Sequence, residues 1–417
     1  MKISKISVKS YRSCKETSFS PHQALTVLIG PNGSGKTNIF SAIRLLSSLC
    51  HGRSHARYHN VEDSLSSASE IKAWFDMEGK TVVYAAKIHA IANERNEDEI
   101  LHAIGSWYMY DITGSRGRLD VPLEFLVDVY RYPSSLSVSG RSARDGRVLL
   151  RHYLAEKGLK DAAMSALLAV AEFISSIAYY SASQFTNPSN CPISFEVETE
   201  RGSELRRGIA MRSGHKALLY DMYDAYKTKS PPFEEFINIV GPEGLGLVDG
   251  IDFKEVETSS STLSVLAGGK VRKRDKVNLL VIPNFSIGEN TLSPSQLSEG
   301  TFKTLALIFY LVTDRSSLLM IEEPEVCVHH GLLSSIIELI KVYSRDKQIF
   351  VSTHSDAVLD ELEVENVFAV KRDSHNGTQV KRISGSMNKQ EAQALRVYLA
   401  TEGSLGEYWK HGDLENV

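Results

Sequence analysis

The chain has 417 residues, 42% hydrophobic and 24% charged, with a formal net charge of -4. That length leaves room for two or three lobes with buried cores, and the balance is that of an ordinary water-soluble protein. It excludes several classes: no apolar run is long enough to span a bilayer, the net charge supplies no bulk attraction to nucleic acid, and the 4 cysteines lack the spacing of a disulfide framework or a zinc site. Cys14, Cys50, Cys191 and Cys327 fit a reducing compartment, and Met1 to Ile6 start directly as strand without an apolar signal core. A cytoplasmic location with no membrane partner is expected.

Residues 2–12 alternate Ile3, Ile6 and Val8 with polar neighbours, which predicts an edge or half-buried strand ending at Ser10-Tyr11-Arg12-Ser13. A second apolar run, residues 24–29, leads into Gly30-Pro31-Asn32-Gly33-Ser34-Gly35-Lys36-Thr37. This is the G-x-x-x-x-G-K-[ST] pattern of a phosphate loop. Its glycines let Asn32, Gly33, Ser34 and Gly35 turn their backbone N–H groups toward phosphate oxygens. Lys36 reaches the β- and γ-phosphates, and the Thr37 hydroxyl is placed to hold Mg²⁺. A helix is expected over residues 38–49, with Ile39, Ile43 and Leu46 on one face and its positive end aimed at the phosphates. Strand, loop and helix together make a chance glycine-rich turn the weaker reading.

Downstream, His51, His55 and His59 are spaced to share a helix face, but Gly52 and the neighbouring arginines argue for a solvated or phosphate-contacting loop over a metal site. Residues 71–77 and 81–89 read as strands around a turn at Glu78-Gly79-Lys80, and a strand-rich run follows from Ile100 to Tyr132. Arg131, Arg141, Arg144, Arg147 and Arg151 mark a basic loop, a soluble exposed segment or a contact for a nucleic-acid backbone. Residues 156–177 form an amphipathic helix pattern, and residues 177–184 a strand ending in Gln184. Helices are expected over residues 209–228 and 233–240. Strands over residues 250–265 and 277–287 flank a basic connection, Gly268 to Lys276, which reads as a soluble hairpin tip before a backbone-contacting one. No heptads are sustained, which excludes a long coiled-coil arm.

The C-terminal third carries a second group of signals. Leu297-Ser298-Glu299-Gly300-Thr301 precedes an apolar helix over residues 302–312, and its start offers backbone donors to an anion, a weak signal by itself. Ser317 to Glu325 reads as a buried strand with paired carboxylates at its C-terminal end, the edge where open α/β sheets bind ligands. Glu322 is placed to join Thr37 on Mg²⁺, and Glu323 to polarise the attacking water. Gln348 to Asp356 repeats the pattern, and His354 after that strand is a candidate for the γ-phosphate or the attacking water.

The order phosphate loop, Gln184, L-S-x-G, a strand ending in Glu322-Glu323, and Ser352-Thr353-His354-Ser355 resembles an ABC-type ATPase head. Within that class the chain is similar to the branch of RecF, the SMC proteins and the ATPase domains of OLD-family nucleases. Ser10-Tyr11-Arg12-Ser13 resembles the N-F-R-S element of that branch. Asn38 after Lys36-Thr37, and Glu322-Glu323-Pro324-Glu325 followed by His329, resemble OLD-like members most. The resemblance implies an α/β fold of the P-loop NTPase class, an ABC head with a β-rich N-terminal lobe and an inserted helical and β lobe. The divisions expected are 1–90 for the N-terminal ATPase lobe, 91–176 for an inserted basic segment, 177–290 for a middle lobe and 291–417 for the C-terminal ATPase lobe.

It also implies ATP and Mg²⁺ as ligands. Arg12 and Asn38 join the loop on ATP, Gln184 joins Thr37 and Glu322 on the metal, and Glu323 and His354 act in hydrolysis. Ser298 and Gly300 act in trans, on nucleotide held by a second copy, in an ATP-gated homodimer. Two departures stand out: Glu322 replaces the usual Asp, as in OLD-like ATPases, and the signature reads L-S-E-G-T in place of L-S-G-G-Q. The segment after His354 is expected to be too short for an OLD-type nuclease domain. The implied role is an ATPase, sensor or scaffold subunit of bacterial antiviral defence with a separate nuclease or toxin effector. The alternative is a RecF-like repair or clamping ATPase that binds DNA directly.

Overall fold

The structure, a computed structural model, describes residues 1–50, 65–77, 80–92, 99–111, 125–129, 161–198, 214–265, 271–328, 330–386, 389–401 and 403–410. The histidine trio, the arginine-rich stretch from Arg131 to Arg151 and His329 lie outside them. In chain order the elements are β1 (Lys2–Tyr11), β2 (Cys14–Phe19), β3 (Leu25–Ile29), α1 (Lys36–Cys50), β4 (Leu65–Met77), β5 (Lys80–Ala92), β6 (Glu99–Asp111), β7 (Phe125–Val129), α2 (Asp161–Ser175) and β8 (Ala178–Ser181). There follow β9 (Phe195–Glu198), α3 (Gly214–Lys227), α4 (Pro231–Val240), β10 (Gly250–Val265), β11 (Val271–Ile287), β12 (Asn290–Leu292) and α5 (Glu299–Thr313). The chain closes with β13 (Leu318–Glu322), α6 (His330–Tyr343), β14 (Gln348–Thr353), β15 (Val367–Asp373), β16 (Gly377–Arg382), α7 (Lys389–Thr401) and α8 (Leu405–Lys410).

These elements form two compact units. The first is Met1–Tyr179 with Arg315–Glu323 and Ile337–Val417, and the second is Tyr180–Asp314 with Pro324–Ile336. The first unit holds two sheets. One is antiparallel, in the order β2-β1-β4-β5-β6-β7, and the other runs β16-β15-β3-β14-β13-β8. In the second sheet β15, β3, β14 and β13 are parallel, so their C-terminal ends share one edge. Parallel strands covered on both faces are apolar nearly throughout. All five residues of β3 are buried, four of them apolar, and the fifth, Thr26, accepts from the His22 N–H at 2.9 Å through its hydroxyl.

β1 is the half-buried strand of the two alternatives expected, and not an edge. It is hydrogen-bonded on both sides, to β2 and to β4, and Ile3, Ile6 and Val8 are at most 1% exposed. The polar alternation marked its solvent face correctly but could not reveal that both hydrogen-bonding edges are occupied. Its apolar face packs with Ile39, Phe40 and Ile43 of α1 and Leu167, Val170 and Phe173 of α2 in one core. Each such side chain contributes about 1.5–3 kcal/mol on burial. Gln348 joins the two sheets: its carbonyl accepts from the Ile3 N–H at 2.9 Å, and its amide donates to the carbonyls of Ile3 and His22 at 3.1 and 3.0 Å. A buried amide is tolerated because all these groups are paired.

The second unit is built on the β10–β11 hairpin, with β9 and β12 both paired to β11. Here the expected basic connection is shorter than the sequence suggested. Pairing continues until Val265 lies opposite Val271, so Arg272, Lys273 and Arg274 belong to β11, opposite Ser264, Leu263 and Thr262. Among the described residues there is no coiled-coil arm. The fold is α/β as expected from the sequence, with the phosphate loop between β3 and α1 at one edge of a mostly parallel sheet, a β-rich N-terminal portion and a mixed second unit.

Candidate functional site

The phosphate loop follows β3 and ends in α1, and its glycines have separate reasons. A Cβ on Gly30 would meet the Val370 carbonyl oxygen at 2.2 Å. Gly33 and Gly35 have φ of +81° and +108°, a conformation that other residues rarely adopt. A Cβ on Gly35 would also come within 2.0 Å of the Thr378 Oγ1. The Lys36 side chain is buried and curls inside the loop, its Nζ donating to the carbonyls of Gly30 at 2.6 Å and Pro31 at 3.1 Å. Asn32 and Gly33 are exposed at the loop's crest, whereas Ser34 and Gly35 are buried beneath it.

The loop is braced from behind by the β15–β16 hairpin, which the sequence did not connect with it. Thr378 donates its hydroxyl to the Ser34 carbonyl at 3.0 Å and shares a 2.7 Å hydrogen bond with the Ser13 hydroxyl. The Thr378 N–H donates to the Ser13 carbonyl at 2.7 Å. Asn38 completes the knot by donating to the Ser13 hydroxyl at 2.7 Å, and Arg12 donates to the Asn38 side-chain carbonyl at 3.5 Å. Arg12 itself has φ of +49°, which turns its exposed side chain out of the β1–β2 connection beside the loop. Burial also raises the Cys14 thiol pKa, so that cysteine is inert next to the knot.

At the shared C-terminal edge of the parallel strands, the two carboxylates separate by role. The Thr37 hydroxyl donates to Glu322 Oε1, and the Tyr179 hydroxyl donates to Glu322 Oε2. Glu323 turns the other way, held by φ of +48° and by its N–H donating to the Ser352 carbonyl at 2.9 Å. A positive φ at a glutamate is strained by about 1–3 kcal/mol. Its effect is to place Glu323 Oε1 3.4 Å from His354 Nδ1, with both side chains well exposed. Register explains the meeting: Glu322 lies opposite Ser352, and Ser352 and Thr353 lie opposite Leu28 and Ile29, so loop, carboxylates and histidine leave adjacent strands at one level.

The remaining predicted residues lie in the second unit. Gln184 sits in a single turn, Ala182–Phe185, and is exposed. Ser298 is the N-cap of α5, its hydroxyl accepting from the Thr301 N–H at 3.1 Å, and Ser298, Glu299 and Gly300 are all exposed. Lys303, 4% exposed, pairs with Glu299 at 2.6 Å and holds that carboxyl below its ordinary pKa. The Gln184 turn is tied to this helix by Phe185 against Phe302 and by the Asn187 N–H donating to Glu299 at 3.4 Å. His215 stacks on Phe302 with ring centroids 5.4 Å apart.

The described residues contain no group of three or more His, Cys, Asp or Glu able to hold a metal by themselves. One carboxylate beside one threonine hydroxyl is the donor set suited to Mg²⁺, which keeps few protein ligands and takes others from phosphate and water. The buried Ser34 hydroxyl has no protein partner, and the glycines around it admit a close approach to the backbone. The residues therefore fit a nucleoside triphosphate with Mg²⁺. Sequence reasoning missed Tyr179 and Thr378, because no motif spacing marks a tyrosine ahead of Gln184 or a threonine on a late hairpin.

Residues 154–360 match the family described as "AAA domain, putative AbiEii toxin, Type IV TA system", and residues 1–131 match an AAA ATPase domain. Among curated proteins, the chain is similar to the DNA replication and repair protein RecF of Bifidobacterium longum subsp. infantis, 30% identical over 27% of each chain. RecF of Chlorobium phaeobacteroides is 49% identical over 10% of this chain and 12% of its own. The chain thus spans between 12% and 27% of the length of these relatives. Among solved structures it is similar to the SMC head domain from Thermotoga maritima, with 15% identity, 92% of this chain and 99% of that one covered, and a TM-score of 0.42. An SMC head bound to the C-winged helix domain of ScpA gives 15% identity, 91% and 97% coverage and a TM-score of 0.48.

Proposed function

We propose that the protein is an ATPase of the RecF/SMC type, hydrolysing ATP to ADP and phosphate. The observation that carries this reading is the meeting of Thr37 with Glu322 while Glu323 faces His354 beside them. Lys36 and the backbone N–H groups of residues 32–36 would neutralise and orient the phosphates. Thr37 and Glu322 would hold Mg²⁺, which would neutralise the charge that develops on the phosphate oxygens. Glu323 would accept the proton of the attacking water, and His354 would fix that carboxylate and hydrogen-bond the γ-phosphate side of the site. Arg12, turned out beside the loop, is assigned to the nucleotide. Asn38 is assigned to keeping Arg12 and Ser13 in place.

The exposed Ser298 and Gly300 fit a second proposal, a homodimer in which each α5 start faces nucleotide on the other copy. ATP would favour the closed dimer because its γ-phosphate makes contacts in that state alone. For the biological role, the match over residues 154–360 favours a defence-related ATPase, and the motif resemblance to OLD-like ATPase domains adds a separate nuclease or toxin effector to that reading. The RecF matches favour, with equal weight, a repair or clamping ATPase that touches DNA directly. Recovery of a stoichiometric effector chain on purification from the host supports the first, and salt-sensitive DNA binding by the protein alone supports the second.

The chemistry is tested on two variants. Glu323→Gln is expected to bind ATP as well as the parent and lose about 10²-fold or more in turnover. Lys36→Ala is expected to lose ATP binding itself. Turnover surviving in Lys36→Ala, measured as phosphate release, refutes the reading.

A further inference from the structure

Glu322 is gripped on both oxygens, and only one grip belongs to the phosphate loop. The second comes from Tyr179, whose hydroxyl donates to Oε2. Tyr179 is held in turn by α1, since the Arg44 guanidinium lies 4.1 Å from the centroid of its ring. The chain that delivers it is also pinned. The Ser176 hydroxyl donates to the Ser317 hydroxyl at 3.0 Å and accepts the Ser317 N–H at 3.1 Å, which fixes the approach to β8 against the start of β13. One helix therefore supplies both Thr37 at its first turn and, further along, the cation that seats Tyr179. A tyrosine kept half-buried, capped by a cation on its face and aimed at one carboxylate oxygen is more than core filling.

We infer that Tyr179 is a positioning residue for the metal carboxylate. It holds Glu322 in the rotamer that leaves Oε1 beside Thr37, so that a divalent cation brought with the nucleotide meets a preset ligand. A carboxylate ligand is free to rotate unless its second oxygen is engaged. Partners of that kind orient metal ligands, and their loss typically costs roughly 10–100-fold in metal affinity. Arg44 acts one step further out: its charge over the ring strengthens the hydroxyl as a donor and resists rotation of the phenol. This inference rests on the ATPase reading above, and it assigns a role to a residue that touches neither the phosphates nor the water.

The test is the Mg²⁺ dependence of nucleotide binding, read with a fluorescent ATP analogue and separate from turnover. Tyr179→Phe keeps the ring and its contact with Arg44 and removes the hydroxyl alone. In EDTA its affinity for nucleotide is expected to match the parent. In Mg²⁺ titrations its half-saturation is expected to rise about ten-fold. Arg44→Gln is expected to move half-saturation in the same direction by a smaller factor. An unchanged Mg²⁺ half-saturation in Tyr179→Phe overturns the inference and leaves the ATPase reading intact. Equal weakening with and without Mg²⁺ also overturns it, because that pattern reports a general disturbance of the loop. A parent protein that binds no nucleotide overturns the ATPase reading and this inference together.

Discussion

Gly35 is constrained twice, by a backbone conformation that disfavours any Cβ and by the Thr378 hydroxyl 2.0 Å from where one would stand. Gly35→Ala is therefore expected to cost about 1–3 kcal/mol in backbone strain alone and to open the loop. Removing Thr378 would not relieve the backbone. Thr378→Val tests the brace by itself: the Ser34 carbonyl and the Ser13 hydroxyl lose their buried partner, at a cost of about 1–3 kcal/mol. Urea unfolding should show that loss, and titration with ATP should show weaker binding than in the parent. Full ATP affinity in Thr378→Val would mean that the loop holds its shape without the late hairpin. The phosphate loop was legible in the sequence because its own glycines specify the curl. The brace was not, because Ser13 and Thr378 are far apart in the chain and each is an unremarkable polar residue in a short connection or strand.

At the scale of elements, α5 carries both the predicted signature at its start and an aromatic seat along its side. Phe302 packs against Phe185 of the Gln184 turn and against His215 of α3. His215 is 9% exposed, its Nε2 has no hydrogen-bond partner, and burial depresses its pKa below the ordinary value. The sign follows from linkage. Below about pH 6.5 the unfolded chain takes up a proton that the folded chain refuses, so this site's stability is full above that pH. It declines as pH falls toward the depressed folded value. His215→Phe removes the titrating group and keeps an aromatic ring. Urea midpoints of the parent are expected to fall relative to those of His215→Phe between pH 7 and pH 5. A constant difference across that range would show that the imidazole does not titrate with folding. Helical periodicity located α3 and α5, but nothing in it said that a histidine would lie on Phe302.

For the molecule as a whole, the predicted site residues divide between the two units. Lys36, Thr37, Glu322, Glu323 and His354 belong to the first, and Gln184, Ser298 and Gly300 to the second. In the proposed homodimer the exposed α5 start would serve another copy and hydrolysis would be a property of the pair, which can be tested by mixing. Lys36→Ala and Ser298→Arg chains are each expected to be inactive. Mixed in equal amounts, they should form some heterodimers with one intact composite site, recovering about a quarter of the parental turnover by random pairing. Absence of any recovery would put Ser298 outside a shared site.

By itself the sequence determined the phosphate loop, the strand ending in Glu322-Glu323, the strand before His354 and the apolar helices between them. Each of these is a local pattern whose spacing follows from the period of a strand or helix, or from the backbone freedom of glycine. It also indicated that these pieces belong to one site, because strands of that kind end at a common sheet edge. Tertiary structure alone decided what holds each piece in position. It sets β1 inside its sheet, carries the β11 ladder through the basic residues, turns Glu323 toward His354 through a positive φ, and brings Thr378 and Tyr179 to the loop and to Glu322. Those contacts join residues distant in the chain through hydroxyls common in any protein, and their meaning lies in register and packing, which no single stretch of sequence encodes.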